Sequence, residues 1–525
     1  MTSLALLKTT VQRALYRIAR IKDIREAEVF ASSSDYLVCR LNYTSQIPCH
    51  GVEEPKSSES FGIGIRAVFA TAEGPRVGFG SEARDLSAGG IRHALDKARS
   101  NAVFDSEFVS LPKPEPSHSP RKRASSTRSH DPAIMNLTDD GLVEIGWRAV
   151  HEGLHAFESS APLIQLAGSK DRLASLGLIL GGDVSVSRQR IAIASTHRPN
   201  VQTDESTVLT SSVTAMVESE QAKGTGYEAT THLSKFKGEA GREAARHAIA
   251  AMGGRRVPTG TYPVILGPQP VSDLIVNLVL PSLSADAFYS NRSTFLGELY
   301  RAVAAPTLTI YDEGARKGLV GSRRITCEGL PTGRTNLIRK GVLDGLLSNH
   351  YETQRFLGDP KGREKLGVNP QEHAQAIAPR NGFRLSSRGA RQFDVQPAVA
   401  ATNVFIEGAE PHTLESLLHT VRNGIYIGRI WYTYPLNGLR AGDFTCTVVG
   451  DSYLIQDGRI AGPIQGNTVR VTGNIRELLH NILGITTQNR PIVGWGSDEI
   501  VYAPHIAVRD VRLSEIAQFM QTGIQ

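Results

Sequence analysis

Residues 260–295 read GTYPVILGPQPVSDLIVNLVLPSLSADAFYSNRSTF, and this stretch restricts the fold more than any other. Residues 261–266 are a short apolar run rich in β-branched and aromatic side chains, which predicts a strand. Gly267 and Pro270 break it, Ser272 can serve as a helix cap, and residues 273–280 predict a helix that is apolar nearly all round. Such a helix has no wet face, so a core or a broad partner surface must enclose it. Its few polar positions, Asn277 and, just past its end, Ser282, are therefore expected to face a closed interior. Pro281 lacks a backbone donor and its ring would collide with the carbonyl of Asn277, so the helix should bend or stop there.

A chain of 525 residues, 40% of them hydrophobic, is long enough to enclose that helix and to divide into several domains. In the first, residues 1–112, an opening helix puts Leu4, Leu7, Val11, Leu15 and Ile18 on one face. Strand-like runs follow at 26–30, 35–41, 62–70 and 77–79, and Asp85, Leu86 and Ser87 open a second helix reaching about residue 101. Gly62 and Gly64 lie inside a strand pattern without the spacing of a phosphate loop, so they mark close backbone packing. Residues 134–255 form a second α+β unit with alternating strands at 183–194 and 208–218 and a helix at 239–252. From 256 to 525 the chain reads as β-rich, with Gly314, Gly329, Gly341 and Gly345 at tight reversals and a capped helix over 413–423. The expected class is α+β: N-terminal α/β layered domains on a mixed or antiparallel sheet, then a β-rich C-terminal domain.

The net charge of +6 raises the question of a nucleic-acid partner, and its location answers it. Arg121, Lys122, Arg123 and Arg128 hold four of the six excess charges, inside a Pro/Ser-rich linker over 113–133 with no aromatic or folded basic face. Nucleic-acid binding is therefore not expected. The Arg-bearing stretch 380–391 reads likewise as a solvated loop. No run approaches the ~20 apolar residues of a membrane span, and residues 4–7 are too short for a signal peptide. Cys39, Cys49, Cys327 and Cys446 have neither metal spacing nor a C-x-x-C pair. These features lead us to expect a cytoplasmic protein without a membrane partner.

His151-Glu152-Gly153-Leu154-His155 matches H-E-x-x-H, which sets two imidazoles one helical turn apart with a glutamate between them. Val143, Trp147, Val150, Leu154 and Phe157 give that segment a helical stripe, with His151 and His155 at its edge. Against a zinc site stand Gly153, which weakens a helix interior by about 1 kcal/mol relative to Ala, and the lack of a third ligand at a familiar offset. Glu328 and Asp344 lie in turn phrases where solvated carboxylates are routine. There is no P-loop and no nucleophile elbow.

Several phrases recur in an order and spacing that resemble one family: Gly62-Ile63-Gly64-Ile65-Arg66-Ala67-Val68, Asp312-Glu313-Gly314, Cys327-Glu328-Gly329-Leu330-Pro331-Thr332, Gly442-Asp443-Phe444, Asp451-Ser452-Tyr453-Leu454-Ile455 and Gly473-Asn474. The family is TldD/PmbA, whose members pair into a peptidase complex also described as a modulator of DNA gyrase. In its metal-binding members the helix corresponding to 273–280 carries His-Glu-x-x-x-His, two zinc ligands and a general base, and a cysteine near the C-terminus is a further ligand. Here Asn277, Leu278 and Ser282 stand at the helix positions and Trp495 at the cysteine position. The resemblance thus implies no catalytic or metal-binding residue at that site and no cofactor in this chain. It implies a subunit of the TldE/PmbA type, a pseudoenzyme on its own, that forms a heterodimer with a zinc-bearing TldD-like chain or a homodimer and handles unfolded peptide. The alternatives are an autonomous zinc peptidase using His151, Glu152 and His155, and a nucleic-acid-binding accessory protein.

Overall fold

In a computed structural model, which describes residues 1–114, 130–385, 390–494 and 499–516, the first half is built along one 21-residue strand, β1 (Ile24–Thr44). It pairs antiparallel with β2 (Lys56–Thr71) on one side and β4 (Leu178–Ser195) on the other. β3 (Gly74–Ala83), β5 (Gln202–Val217) and β6 (Ala222–Thr230) complete an antiparallel sheet ordered β3-β2-β1-β4-β5-β6. The separate runs expected at 26–30 and 35–41 are thus one strand. Ser32, Ser33 and Ser34, which interrupt the apolar pattern, are buried and stay in register with both neighbours. Ladder hydrogen bonds on two sides outweigh the weak strand preference of three serines. The same pairing corrects the division into separate domains at 1–112 and 134–255, because strands from both sides of residues 113–133 share this sheet. Residues 115–129, with Arg121, Lys122, Arg123 and Arg128, lie outside the described residues.

Side-chain alternation along a strand sends successive residues to opposite faces, and that parity explains the layering. Ala27, Val29, Ala31, Leu37, Cys39 and Leu41 of β1 point to one face. There they meet α1 (Leu4–Ile18) and α2 (Ala88–Ser100) toward one end, and α4 (Asp139–Glu158) and α6 (Glu239–Ala250) toward the other. Two short helices, α3 (Pro132–Met135) and α5 (Ala161–Ala167), flank α4. Phe30 of β1 and Ile191 and Ile193 of β4 point the other way, into a cluster with Ile325, Cys327, Phe383 and Phe393 of the C-terminal half. Gly62 and Gly64 belong to this second face: a Cβ on either would fall within 2.6 Å of Phe393 atoms, so these glycines do mark close packing.

Glycine also sets the crossing of α4 on α6. A Cβ at Gly241 would lie 1.8 Å from the Ala149 carbonyl oxygen, and one at Gly153 would come within 3.2 Å of the Gly241 carbonyl oxygen and 2.7 Å of Leu180 on β4. The Gly153 that weakens the helix in isolation is therefore what lets it pack. Gly241→Ala is expected to force the two helices apart at a cost of about 1–3 kcal/mol, read as a lower urea midpoint. Gly462→Ala, where no atom lies within 4 Å, is the matched control with little change.

The C-terminal half holds two larger sheets. One runs in the order Val342–Leu343, Arg334–Arg339, Leu308–Glu313, Asn403–Gly408, Ile500–Ala503, Arg490–Val493. The other runs Arg429–Pro435, Asp443–Gly450, Val469–Asn474, Ile506–Glu515, β7 (Gly260–Leu266), Gly424–Ile427, Tyr453–Gln456, Arg459–Pro463, with Ile482–Ile485 also paired to Ile506–Glu515. Together with the first sheet this makes an α+β molecule with a β-rich C-terminal half. No helix among the described residues is long and apolar enough to cross a membrane. The four cysteines are unpaired.

Arg384 and Arg391 overturn the reading of 380–391 as a solvated loop. Both guanidinium groups are fully buried against the second face of the first sheet. Arg391 donates to Asp204 (2.7 Å), Gln189 (3.1 Å) and Ser206 (3.2 Å), and Arg384 donates to Glu28 (2.6 Å). The partners come from β1, β4 and β5, some 190 to 360 positions away in sequence, which no local pattern reports.

Candidate functional site

The apolar helix at the centre of the C-terminal core starts five residues earlier than its sequence pattern indicates. α7 (Pro268–Leu274) opens on Pro268, whose missing N–H costs nothing at a first helical position. Ser272 is buried within this helix rather than capping it. The ladder then widens into a π turn over Ile275–Val279, where the Leu280 N–H donates to the Ile275 carbonyl, and closes with Leu280–Ser282. Pro281 cannot donate to Asn277, so the irregularity falls just before it, and the helix ends one residue after it. Leu274, Ile275, Leu278, Val279 and Leu280 are all core residues.

The three positions singled out on this helix have separate fates. Asn277 is exposed, not enclosed as expected, and its Nδ2 donates to the Asp273 carbonyl at 2.8 Å. It shares the less buried side of the helix with Asp273 and Pro281, four positions away on either side. Leu278 is 1% exposed and packs in the core. Ser282 is fully buried, with its Oγ donating to the Leu278 carbonyl (2.8 Å) and lying 3.0 Å from Thr294 Oγ1. Trp495 lies outside the described residues. These side chains do not suit zinc: an amide is a feeble ligand, leucine has no donor, the Ser282 hydroxyl is already engaged, and an indole nitrogen only donates.

Around this helix sits a polar fringe that the sequence pattern did not single out. Asp273 is half-buried with no partner for its Oδ2, and burial pushes its carboxyl above the usual carboxylate range. Burial likewise raises the Cys446 thiol, with the charge of Asp273 adding to the effect. Gln269 reaches the strand Arg429–Pro435, accepting from the Ile430 N–H (3.0 Å) and donating to its carbonyl (3.3 Å). That strand is the edge of its sheet, bulged between Trp431 and Tyr434, and it leaves Tyr432, Tyr434 and Leu436 exposed. A polar residue inside an apolar helix, as Asp273 is, was the available signal.

His151 and His155 are exposed on α4, with the His151 ring 5.5 Å from that of Trp147. Glu152 does not stand free between them: Arg242 of α6 donates to its carboxylate through Nε at 2.9 Å and pairs with it as an ion pair. Among the described residues no group of three or more His, Cys, Asp or Glu is placed to hold a metal ion.

Glu328 departs furthest from its expected setting. It is 3% exposed, its Oε2 accepts from the His350 N–H (2.9 Å), and its Oε1 has no partner. Burial raises its pKa to about 7, opposed by the charges of Arg66 and Arg384. It lies beside Glu28, which accepts from Arg66 (3.2 Å) and Arg384 (2.6 Å) on the second face of the first sheet. Asp344 is partly buried and paired with Arg339 at 2.8 Å.

Residues 259–515 match the model of the PmbA/TldA metallopeptidase C-terminal domain, and residues 51–102 that of PmbA/TldA metallopeptidase domain 1. The chain is similar to a metalloprotease of Synechocystis sp., 28% identical over 51% of this chain and 53% of that protein. It is also similar to a TldD homolog, named a metalloprotease, of Haemophilus influenzae, 26% identical over 44% of this chain and 42% of that one. The matches therefore span about half the length of these relatives. Among solved structures, TldE from Thermococcus kodakarensis superposes with a TM-score of 0.73, at 17% identity, over 97% of this chain and 100% of that one. A protein from Bacteroides thetaiotaomicron described as a modulator of DNA gyrase gives 0.71, at 18% identity, over 97% and 99%. At such identities the structural likeness concerns the fold.

Proposed function

The chain belongs to the TldD/PmbA family, and from that premise we propose that it acts as a metal-free, TldE/PmbA-like subunit of a peptidase complex, with zinc and general base supplied by a TldD-like partner. The observation that carries this reading is the donor set on the helix. An exposed amide, a core leucine and a committed hydroxyl stand at Asn277, Leu278 and Ser282, which the family resemblance matches to the imidazoles and carboxylate of a metal-binding member. The subunit's contribution is to wall a chamber and to hold unfolded peptide in extended form. The edge strand Arg429–Pro435 supports that role: Gln269 already holds the Ile430 N–H and carbonyl, but the strand beyond it is the rim of its sheet, with Tyr432 and Tyr434 exposed to flank alternate side chains of an added strand. A zinc peptidase built on His151, Glu152 and His155 gains no support from a glutamate held by Arg242.

Co-expression with the TldD-like chain of the same source tests the proposal. The expected result is a stable pair with zinc in the partner alone, and cleavage of unfolded peptide by the pair but not by this chain. Stoichiometric zinc in this chain by itself, with peptide cleavage abolished by Glu152→Gln, would overturn it.

A further inference from the structure

A cleft of about 290 Å³ opens where the β5–β6 end of the first sheet meets the strands Arg429–Pro435 and Asp443–Gly450. Its floor is a closed polar contact: Thr225 Oγ1 donates to Asp451 Oδ2 at 2.5 Å, and Asp451 is 5% exposed with no partner for its Oδ1. Its walls carry two cations. Arg429 is half-buried, has no hydrogen bond or ion pair from its guanidinium among the described residues, and has its Nε shut away from water without a partner. Lys223, exposed on β6, likewise has no carboxylate partner among the described residues. The Arg429 guanidinium carbon lies 5.4 Å from the centroid of the Trp431 ring, and Tyr432, 68% exposed, stands next to it.

We infer that this cleft receives the free C-terminal carboxylate of a short extended peptide. A guanidinium with unused donors beside an ammonium calls for an oxyanion, and its planar fork matches a carboxylate in bidentate fashion. Trp431 and Tyr432 supply the apolar wall for the last side chain. The volume lies at the lower edge of small-ligand pockets, which span roughly 300–1,000 Å³, so it admits a chain end and not a folded partner. From the cleft the strand Arg429–Pro435 continues as the sheet edge, and a peptide laid antiparallel along the part of that edge beyond Ile430, whose main chain Gln269 holds, points its C-terminus toward Arg429. Asp451, the carboxylate on the floor, is already engaged through its Oδ2 by Thr225 and lies 3.7 Å from His247 Nδ1, and burial raises its carboxyl above the ordinary range against the charges of His247 and Arg429. The assignment rests on the peptide-handling role proposed for this subunit and adds to it which end of the peptide is gripped.

The test is calorimetric titration of the full-length chain with three pentapeptides: a free acid, the same sequence as its C-terminal amide, and an amide carrying a glutamate side chain. The free acid is expected to bind about tenfold or more tightly than either amide, as charge-assisted hydrogen bonds would give. Arg429→Gln and Lys223→Gln should each bring the acid toward the level of the plain amide while leaving the amide unchanged. Thermal midpoints monitor folding, and the exposed Lys223 provides a variant whose fold is not at risk. Equal binding of acid and plain amide overturns the site, and tight binding of the glutamate-bearing amide overturns its chain-end character. No binding of any peptide also overturns the site. The peptidase reading falls with it only if the complex with a TldD-like partner leaves all three peptides uncut.

Discussion

Replacing Glu28 with alanine is expected to destabilise the protein by about 3–5 kcal/mol, the usual cost of breaking a buried ion pair from one side. Glu28 is 1% exposed and is the shared acceptor for Arg66, 6% exposed, and Arg384, fully buried. Without it, two guanidinium groups remain out of water, and among the described residues Arg384 keeps the Val395 carbonyl (2.7 Å) as its one hydrogen-bond acceptor. Burial opposes the charge on Glu28, but the fields of Arg66 and Arg384 outweigh it and hold the carboxyl below its ordinary value. Its stabilising effect is therefore present above the unfolded carboxylate value of about 4.5 and is lost as pH falls through the lower folded value. Urea denaturation at pH 7.5 is the measurement. Adding Arg66→Met and Arg384→Leu to the alanine variant should recover part of the loss, because the uncompensated charges are then gone. A loss below about 1 kcal/mol for Glu28→Ala would mean that water reaches this face.

Glu328→Gln is expected to do the reverse at alkaline pH. The folded carboxyl titrates at about 7, against about 4.5 unfolded. A raised value means that the proton stabilises the folded state. The glutamate is harmless below pH 4.5, its ionisation costs progressively more as pH rises to 7, and the cost is constant above that. The gap corresponds to a penalty on the order of 3 kcal/mol at pH 8. Glutamine keeps an acceptor for the His350 N–H and carries no charge, so the variant should be the more stable at pH 8 and nearly equal to the parent at pH 4.5. His350, whose pKa burial lowers to about 4, has the opposite slope, losing stability as pH falls below about 6.5. It is present in both proteins, as are Glu28, Arg66 and Arg384, so the difference between the two pH profiles isolates Glu328. Parallel profiles would sink the assignment.

These two residues also show where a sequence can be read and where it cannot. Alternation and helical spacing report local periodicity, and α1 and α6 emerge from them within a few residues, whereas β2, β4 and β5 begin five or six residues before their periodic cores, β1 reads as two runs and β6 goes unread. The apolar helix after Gly267 was legible for the same reason, although its π turn was not, since nothing in residues 275–279 signals an i→i+5 ladder. What remained hidden is long-range pairing of polar groups. Glu328 sits in a turn phrase that looks solvated, and Arg384 and Arg391 sit in a stretch that looks like a loop. All three become interior only because β1, β4 and β5 turn a second face toward them. At the candidate site the side-chain chemistry of Asn277, Leu278 and Ser282 follows from residue type alone, whereas the outward turn of Asn277 required the backbone.

The second face of the first sheet has a consequence for how the polypeptide is made. β4 is complete at Ser195, but the residues that cover Phe30, Ile191 and Ile193 begin near Ile325 and finish at Phe393. At ribosomal rates of ~5–20 residues per second, that interval lasts roughly 10–40 s. Throughout it the nascent sheet exposes a greasy surface together with Glu28 and Arg66 awaiting their third member. The helix-covered face can close on its own residues, whereas the second face stays bare for that interval and offers a chaperone a surface to hold until the C-terminal half arrives.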